Sequence, residues 1–583
     1  MQRRCRLPLS GWLGIVLVLF LGSPHPFAVA QDLDAPAWER RAQAADLFRL
    51  RDRLLIRGFY AIEQSRDAGR WSEAAETCEW ILSRGIDSFG DGTSAANESV
   101  RTRVLQWLNQ PGPLRDAFER RYGPIANRNL EEAADSPALL ADGLAIFSAT
   151  DAGRDARIRL AVSLLDRGES GLADSIFREI SPSGGKAGPT DWQPRAALAA
   201  RIASTDKVEG GVAASDSALA SASSMFPWVP GSGRRSRWEL LDSSPPVVAS
   251  EFGYRSGMQE LTWQSWAASQ LDTGRPAISA SCALRLGDWL AIRELGRIVW
   301  LNLASRQVEG ATSFREPDLG LPQVGAEPRV RGRLPVLLGN VSNFSGQGID
   351  PQDSRRWFQD WTSQTLSADG LRAYCVTACS VDASGTPRNS LVACASPIEG
   401  RVVSQPVWIA DGTDSESDWR GTRFLGAPLS LSFELLVVAE RESLVWLLSI
   451  DTNTGKQRWG MPLAAELRGE ETSVDRQLGG CSPVLVDGLL ICPTGNGLLV
   501  AVDYLTRSLA WVRFCASPEA LLGDNRRPQG QRSGDDNSGG PHRLLLCRDR
   551  VIYRPPVESR IYCLSSATGE PIWTAPGSSG EQV

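Results

Sequence analysis

The sequence predicts a helical N-terminal region followed by an all-β region built from repeated four-stranded antiparallel sheets. From Ala35 to about Ile180 apolar residues recur three and four positions apart, whereas from about residue 238 they alternate in short runs bounded by turns. Five segments of the second region share one register. The chain has 583 residues, too many for one ordinary core. Short strands that recur in one register along a chain are typical of the blades of a β-propeller.

The N-terminus has the organisation of a secretory signal peptide. Three arginines precede an apolar run from Gly11 to Leu21, and the small-residue pattern Ala28-Val29-Ala30 follows. The apolar run is about half of the ~20 residues that a membrane-spanning helix needs. We therefore predict that residues 1–30 are removed and that no stable membrane span remains. The mature chain is predicted to be exported to the periplasm or cell envelope.

Charge and residue usage exclude several classes of function. The net charge is −6 and no run of basic residues occurs, which argues against nucleic acid as a partner. Other envelope proteins are the predicted partners. The sequence contains two histidines, of which His25 lies in the signal peptide, so zinc sites built from several histidines are excluded. We predict that the other, His542, is a solvated loop residue.

Residues 35–180 are predicted to form a helical region. Two segments, Ala68 to Leu82 and Asp166 to Ile180, share a spacing in which a glycine closes one helix and an alanine five residues later starts the packing of the next. This spacing resembles that of tetratricopeptide repeats, although their 34-residue period is not kept. A plain helical bundle is the alternative. Residues 181–237 are rich in Gly, Ser and Ala and are predicted to be a flexible linker, with a propeller over 238–583.

The register of the five β segments is set by a residue that ends one strand, a glycine four positions later and a tryptophan eight positions later. The positions that share it are Asn302; Ser396 and Gly400; Asp451, Gly455 and Trp459; Asp503 and Trp511; and Ser565, Gly569 and Trp573. Asp, Asn and Ser can accept hydrogen bonds from turn backbone, and glycine supplies a positive φ. We therefore predict structural roles for these residues, with the tryptophans packing against the neighbouring blade. The predicted insertions between units span 316–356 and 522–543.

The pattern of two strands joined by Asp-Gly, followed by Asp-x-x-Thr-Gly and a tryptophan, resembles the pyrroloquinoline-quinone-type propeller repeat. This repeat is found in quinoprotein alcohol dehydrogenases and in BamB-like envelope assembly factors. The similarity covers roughly Pro276 to Trp573. Either two or three further blades lie in degenerate segments or the chain is a fragment, incomplete at its C-terminus.

The resemblance implies requirements for the enzymes of the family. Their quinone lies at the propeller centre between a tryptophan and a disulfide of adjacent cysteines, with calcium held by Glu, Asn and Asp. This sequence has no adjacent cysteines, and Trp289, Trp300, Trp408 and Trp446 are unranked candidates for the stacking tryptophan. We therefore predict no catalytic, cofactor-binding or metal-binding residues. No cofactor is expected, and pyrroloquinoline quinone with calcium is expected only under the alternative of a quinone-dependent oxidoreductase.

Three local predictions concern cysteines and acidic residues. Cys394 and Cys563 precede the Asp position by two residues and are predicted to be small buried fillers. Cys481 and Cys492 flank an Asp-Gly hairpin, where a disulfide would be diagonal and is disfavoured. Asp535, Asp536 and Asn537 lack the spacing of a calcium loop and are predicted to lie in a solvated insertion. The leading hypothesis is a non-catalytic scaffold, with the oxidoreductase and a BamB-like assembly factor as alternatives.

Overall fold

A computed structural model describes most of the helical region and the strands of five sheets. The described residues are 52–89, 98–134, 136–180, 193–208, 283–294, 296–315, 360–381, 387–398, 400–414, 416–465, 479–495, 497–515, 544–547, 549–555 and 560–576. The predicted signal peptide, both predicted insertions, His542 and the Asp535–Asn537 group lie outside these residues. No helix in the described part is long and apolar enough to cross a membrane.

Eight helices precede the first strand of the described chain. They are α1 (Arg53–Asp67), α2 (Trp71–Ser83), α3 (Val100–Asn109), α4 (Pro113–Glu132), α5 (Pro137–Phe147), α6 (Asp151–Asp166), α7 (Ser170–Ile180) and α8 (Gln193–Val208). The predicted helical region is therefore confirmed.

In two places a glycine separates a helix from the helix that follows it. Gly69 between α1 and α2 has φ +69°, and Gly168 between α6 and α7 has φ +81°. Such a left-handed residue ends a helix at little steric cost only when it is glycine. Ala74 and Ala173, five residues later, are completely buried. The two small side chains therefore lie where neighbouring helices approach each other closely.

Helix α8 lies inside the range that was predicted to be a flexible linker. Ala199 of α8 is completely buried, and Ala196 packs against the core of the helical region. The linker prediction is therefore wrong for residues 193–208. The physical reason is that alanine, although only weakly apolar, has the highest helix propensity, and a run such as AALAA is small enough to pack closely.

The β region contains five antiparallel sheets, which we call blades one to five. Blade one contains β1 (Leu284–Leu286), β2 (Trp289–Glu294), β3 (Arg297–Asn302) and β4 (Gln307–Ser313), and blade two contains β5 (Ser367–Ala368), β6 (Arg372–Val376), β9 (Ser390–Ala395) and β10 (Trp408–Asp411). Blade three contains β11 (Arg423–Phe424), β12 (Leu429–Ser430), β13 (Glu434–Arg441), β14 (Leu444–Asp451) and β15 (Gln457–Ala465). Blade four contains β16 (Val484–Val486), β17 (Leu489–Pro493), β18 (Leu498–Asp503) and β19 (Ser508–Phe514), and blade five contains β20 (Leu544–Cys547), β21 (Arg550–Tyr553), β22 (Arg560–Ser565) and β23 (Pro571–Pro576). A small hairpin of β7 (Ser380–Val381) and β8 (Pro387–Arg388) is inserted in blade two.

Each blade is a meander whose strands pair in chain order. In blade three the first strand is split, because β11 and β12 both pair with β13. Buried apolar side chains fill the spaces between consecutive blades, with separate clusters between blades one and two, two and three, and four and five. Cys394 and Cys563 are buried as predicted, and no disulfide joins Cys481 to Cys492. A helical region followed by four-stranded propeller blades is thus confirmed.

Candidate functional site: the helical region docked on blades three and four

The repeated turn residues lie between the third and fourth strands of each blade. Asp451 Oδ1 accepts hydrogen bonds from Asn453 N at 3.0 Å and Thr454 N at 2.8 Å. Gly455 closes the turn with φ +69° by donating its N–H to the Asp451 carbonyl at 2.9 Å. Asn302 makes the same two bonds in blade one, to the N–H groups of Ala304 and Ser305. The side chain at this position therefore orders the turn.

Tryptophans pack over the turn of the following blade. Trp511 of blade four donates Nε1–H to the Ser566 carbonyl of blade five at 2.9 Å, and a Cβ at Gly569 would lie 2.5 Å from its ring. In blade two the same role belongs to Trp408, which donates to the Thr452 carbonyl at 2.9 Å and covers Gly455. The tryptophan thus joins each of these blades to its successor.

Trp408 was a candidate quinone-stacking residue, and the structure places it in a blade-to-blade contact instead. Trp408 lies twelve residues after Ser396, because the segment before β10 is longer in this blade. The expected spacing of eight residues therefore did not identify it. The other candidates also serve packing: Trp300 is fully buried and donates to Thr312 Oγ1, and Trp446 donates to the Arg441 carbonyl. Trp289 packs against the cluster between blades one and two.

Blade four departs from the repeat at its turn. Arg507 occupies the glycine position four residues after Asp503, with φ +50°. A left-handed arginine costs roughly 1–2 kcal/mol relative to glycine. The Arg507 guanidinium lies 4.5 Å from the centroid of the Trp459 ring of blade three, a cation–π distance. The arginine therefore takes the place of the glycine that lies under a tryptophan in blades three and five.

Arg507 also contacts the helical region. It pairs with Asp142 of α5, and the second oxygen of the same carboxylate accepts a hydrogen bond from Arg458 of blade three at 2.6 Å. The arginine side chains are largely buried, with 12% and 13% exposure. Since partly buried charge-assisted bonds are stronger than exposed ones, Asp142 connects blades three and four to α5.

A second set of contacts is fully buried beside the outer strand of blade four. Asp87, in the loop after α2, accepts a hydrogen bond from Leu509 N of β19 at 2.8 Å through one oxygen. The other oxygen accepts from Ser88 N and from Arg101 N. Burial raises the pKa of the Asp87 carboxyl, and the Arg101 guanidinium opposes that shift. Asp87 thus satisfies an edge N–H that would otherwise be buried without a partner.

Arg101 of α3 connects three elements. Its guanidinium donates to the Leu82 carbonyl at the end of α2 at 2.7 Å, to Ala145 of α5 at 2.8 Å and to Thr506 of blade four at 2.9 Å. Burial lowers the pKa of Arg101 to about 10, although the Asp87 carboxylate acts in the opposite direction. A guanidinium suits this position because it offers several donors in a fixed plane.

The two regions share one apolar core. A single cluster contains Leu105 and Leu108 of α3, Leu144 of α5, and buried side chains of blades three and four such as Met461 and Leu498. A surface ion pair adds to this contact where Arg178 of α7 meets Asp487 in the hairpin between β16 and β17, at 2.9 Å. The helical region is therefore packed onto blades three and four of the propeller.

The hub of the propeller contains a short helix, α9 (Trp361–Gln364). Its Ser363 carbonyl accepts a hydrogen bond from Arg293 of blade one, Thr362 Oγ1 donates to the Leu425 carbonyl of blade three, and Gly480 N, just before blade four, donates to Thr362 Oγ1. Blades one and four are not neighbours in chain order, so an element that bridges them lies towards the propeller axis. We call this element the hub helix.

The described residues show no site that matches the quinone and calcium that the resemblance implies. Among the described residues, no three His, Cys, Asp or Glu side chains are grouped so that they could hold a metal ion. The sequence has no adjacent cysteines, and the candidate tryptophans are engaged in packing. We derive no chemistry through that cofactor.

The comparisons with known proteins agree with the repeat type. Residues 388–531 match the family model described as "Outer membrane protein assembly factor BamB". A comparison with curated proteins found no significant match. This part of the chain, from the last strands of blade two to the segment after blade four, therefore consists of pyrroloquinoline-quinone-type propeller repeats.

Several solved structures are similar at low identity. BamB from Moraxella catarrhalis has 14% identity and a TM-score of 0.28, over 49% of this chain and 61% of that chain. A europium-containing methanol dehydrogenase has 12% identity and a TM-score of 0.30, over 50% of each chain. A quinohemoprotein alcohol dehydrogenase from Comamonas testosteroni has 8% identity and a TM-score of 0.29, over 51% of this chain and 43% of that chain. The chain thus spans between about two-fifths and three-fifths of these proteins.

Proposed function

We propose that this chain is an exported, non-catalytic scaffold of the cell envelope, in which the helical region and the propeller form one rigid protein-binding body. The observation that carries the proposal is the shared core between the helices and blades three and four, with Asp87, Arg101 and Asp142 bonded across it. A rigid body of this kind can hold two binding surfaces at a constant distance.

A BamB-like role in assembling envelope proteins is the second candidate, because the family match covers residues 388–531. It is a more specific form of the same function, since an assembly factor is also a scaffold. The helical region distinguishes the two. A BamB-like role that resides in the propeller predicts that the helical surface contributes nothing to partner binding.

The experiment places a photo-activated cross-linking amino acid on each surface in the producing cells. Leu198 on α8 and Leu371 in blade two are suitable, because their side chains are 49% and 70% exposed. A scaffold is expected to cross-link one envelope protein from both positions. The matched control carries Asp142→Arg, which places a positive charge beside Arg458 and Arg507 and so weakens the contact between α5 and the blades. Cross-linking from both positions should then fall together.

Enzymatic activity would contradict the proposal. Purified protein is titrated with pyrroloquinoline quinone and calcium while cofactor absorbance and dye-linked alcohol oxidation are followed. Stoichiometric binding with turnover would establish the oxidoreductase alternative. Cross-linking from Leu371 alone, unchanged by Asp142→Arg, would favour the propeller-only role.

A further inference from the structure

The outer edge of blade two differs from that of blade four. In blade four, Leu509 of β19 is covered: its N–H donates to Asp87 and its carbonyl accepts from Thr102 Oγ1 at 3.4 Å. In blade two, the outer strand β10 pairs with β9 on one side, and no described residue pairs with its other side. An unpaired strand edge is a template for another strand.

The hydrogen-bond register identifies the backbone groups that point outward. Gly412 N donates to the Asn389 carbonyl, so in the same register Ala410 faces Leu391 across a hydrogen-bonded pair. Antiparallel pairs alternate between bonded and non-bonded, and Ile409 and Asp411 therefore direct their backbone N–H and C=O groups away from β9. These two residues present the bonding pattern that an added strand requires.

Exposed apolar side chains lie in β10 and in the segment just before it. Val407 and Ile409, two positions apart, are 45% and 46% exposed, whereas Ala410 between blades two and three is buried. Val403 in the preceding segment is 43% exposed. Val407 precedes β10 and donates its N–H to the carbonyl of Ala393, which also pairs with Trp408, so the strand alternation does not extend to Val407. Within β10 the exposed apolar side chain is Ile409, and a paired strand with an apolar residue beside it would cover that side chain.

An acidic loop follows the strand directly. Asp414, Glu416 and Asp418 are exposed, and none of them forms an ion pair with a described residue. Three carboxylates next to one end of an open strand edge favour a partner that is basic at the corresponding end.

We propose that the outer edge of β10 binds an extended segment of a partner protein, with an apolar residue beside Ile409 and a basic end beside Asp414, Glu416 and Asp418. The partner strand accepts a hydrogen bond from Ile409 N and donates one to Ile409 O, and one of its side chains covers Ile409. This inference rests on the proposed scaffold function and specifies the partner's chemistry.

The test measures fluorescence anisotropy of a labelled ten-residue peptide of alternating Val and Thr with two terminal arginines, titrated with the full chain. One control peptide has the same side chains but N-methyl groups on alternate amides, which block strand pairing. Another carries glutamates in place of the arginines. We expect each control peptide to bind about tenfold more weakly, and the arginine peptide to weaken as salt rises.

Protein variants locate the site. Ile409→Lys introduces a charge at an exposed position and is expected to weaken binding about tenfold. Leu545→Lys, at a position of blade five that is 42% exposed, is the matched control and should leave binding unchanged. Equal binding of the N-methylated peptide, or unchanged binding to Ile409→Lys, would overturn the proposal.

Sedimentation equilibrium tests whether a second copy of this chain, rather than a partner strand, covers the edge of β10. If the chain forms dimers that Ile409→Lys dissociates, a second copy covers the edge and the proposal of a partner strand is wrong. If no peptide binds while cross-linking from Leu198 persists, the strand inference fails and the scaffold function stands.

Discussion

At the scale of single residues, the tryptophans that join consecutive blades are the least replaceable part of the repeat. Trp511 is 3% exposed, bonded to Ser566 and packed on Gly569. Its truncation would leave a cavity between blades four and five and an unpaired carbonyl. The turn acceptors are more tolerant, because Ser565 occupies in blade five the position of Asp451 in blade three.

We therefore predict that Trp511→Ala lowers the free energy of unfolding by about 3–5 kcal/mol. Asp451→Ser should cost less than about 1 kcal/mol, since serine retains an acceptor. Urea titration of both variants measures the difference. Trp573→Ala is the control, because Trp573 is 38% exposed and should cost less than Trp511→Ala. Equal losses for both tryptophans would contradict the role of blade-to-blade packing.

Asp87 is predicted to be the most sensitive residue of the docked surface. Asp87→Ala leaves three buried N–H groups without their acceptor and removes the charge opposite Arg101, for an expected loss of about 3–5 kcal/mol. Asp87→Asn retains one acceptor oxygen and should cost less. Denaturant unfolding of the two variants tests the order, and equal losses would indicate that shape, rather than hydrogen bonding, determines this position.

Asp411 provides a pH-dependent contribution. Burial raises its pKa, but hydrogen bonds from Thr413 and Ser390 outweigh that effect and lower the pKa below the usual value of 3.8. A carboxyl whose pKa is lower in the folded state stabilises the fold above the unfolded pKa, and this stabilisation is lost as pH falls through the folded pKa. We expect Asp411→Asn to reduce stability at pH 6 more than at pH 3. Thermal unfolding across this range measures it, and a constant difference would exclude the linkage.

At the scale of elements, the turn of blade four shows how a departure from a repeat creates a new contact. Arg507 replaces glycine at a strained φ and reaches both Trp459 and Asp142. A double-mutant cycle of Asp142→Asn and Arg507→Gly should give a coupling energy of about 1–2 kcal/mol. Arg507→Gly alone combines relief of strain with loss of these contacts, so the cycle is needed to isolate the pair. Zero coupling in urea unfolding would contradict the role of Asp142.

The repeat register made part of this predictable from sequence. Asn302, Asp451 and Gly455 could be assigned to turns because several units repeat the same spacing and each residue acts within its own turn. The contact between Asp142 and Arg507 could not be predicted, because it joins residues 365 positions apart and Asp142 belongs to no repeat. The alanine content of α8 favours a helix, but the Gly, Ser and Ala content of the surrounding residues is also typical of a linker.

The hub helix was missed for a different reason. It has four residues, and it follows a segment predicted to be an insertion. Its position depends on Arg293 of blade one, Leu425 of blade three and Gly480 in the segment before blade four. The periodicity of a short sequence segment does not predict contacts between residues far apart in the chain, so only the tertiary structure shows the contacts of the hub helix.

At the scale of the whole molecule, the shared core predicts that the helical region and blades three and four unfold together. Hydrogen exchange of α3 and α5 should have the same opening free energy as β17 and β18. Asp142→Arg should lower the protection of both regions by a similar amount. Mass spectrometry of exchanged peptides measures this. A helical region that opens independently of the blades would show that the core between them is not cooperative.

The tryptophan contacts also determine the order in which these blades can be completed along the chain. Trp408 packs on a turn that ends at Gly455, and Trp511 packs on one that ends at Gly569, so blades two and four are each completed by residues that come later in the chain. A chain growing from its N-terminus therefore exposes the aromatic side of its newest blade until the next turn emerges. A truncation or translational pause just before such a turn leaves an apolar surface on an otherwise finished blade, and these are the points at which the growing protein most needs protection from aggregation.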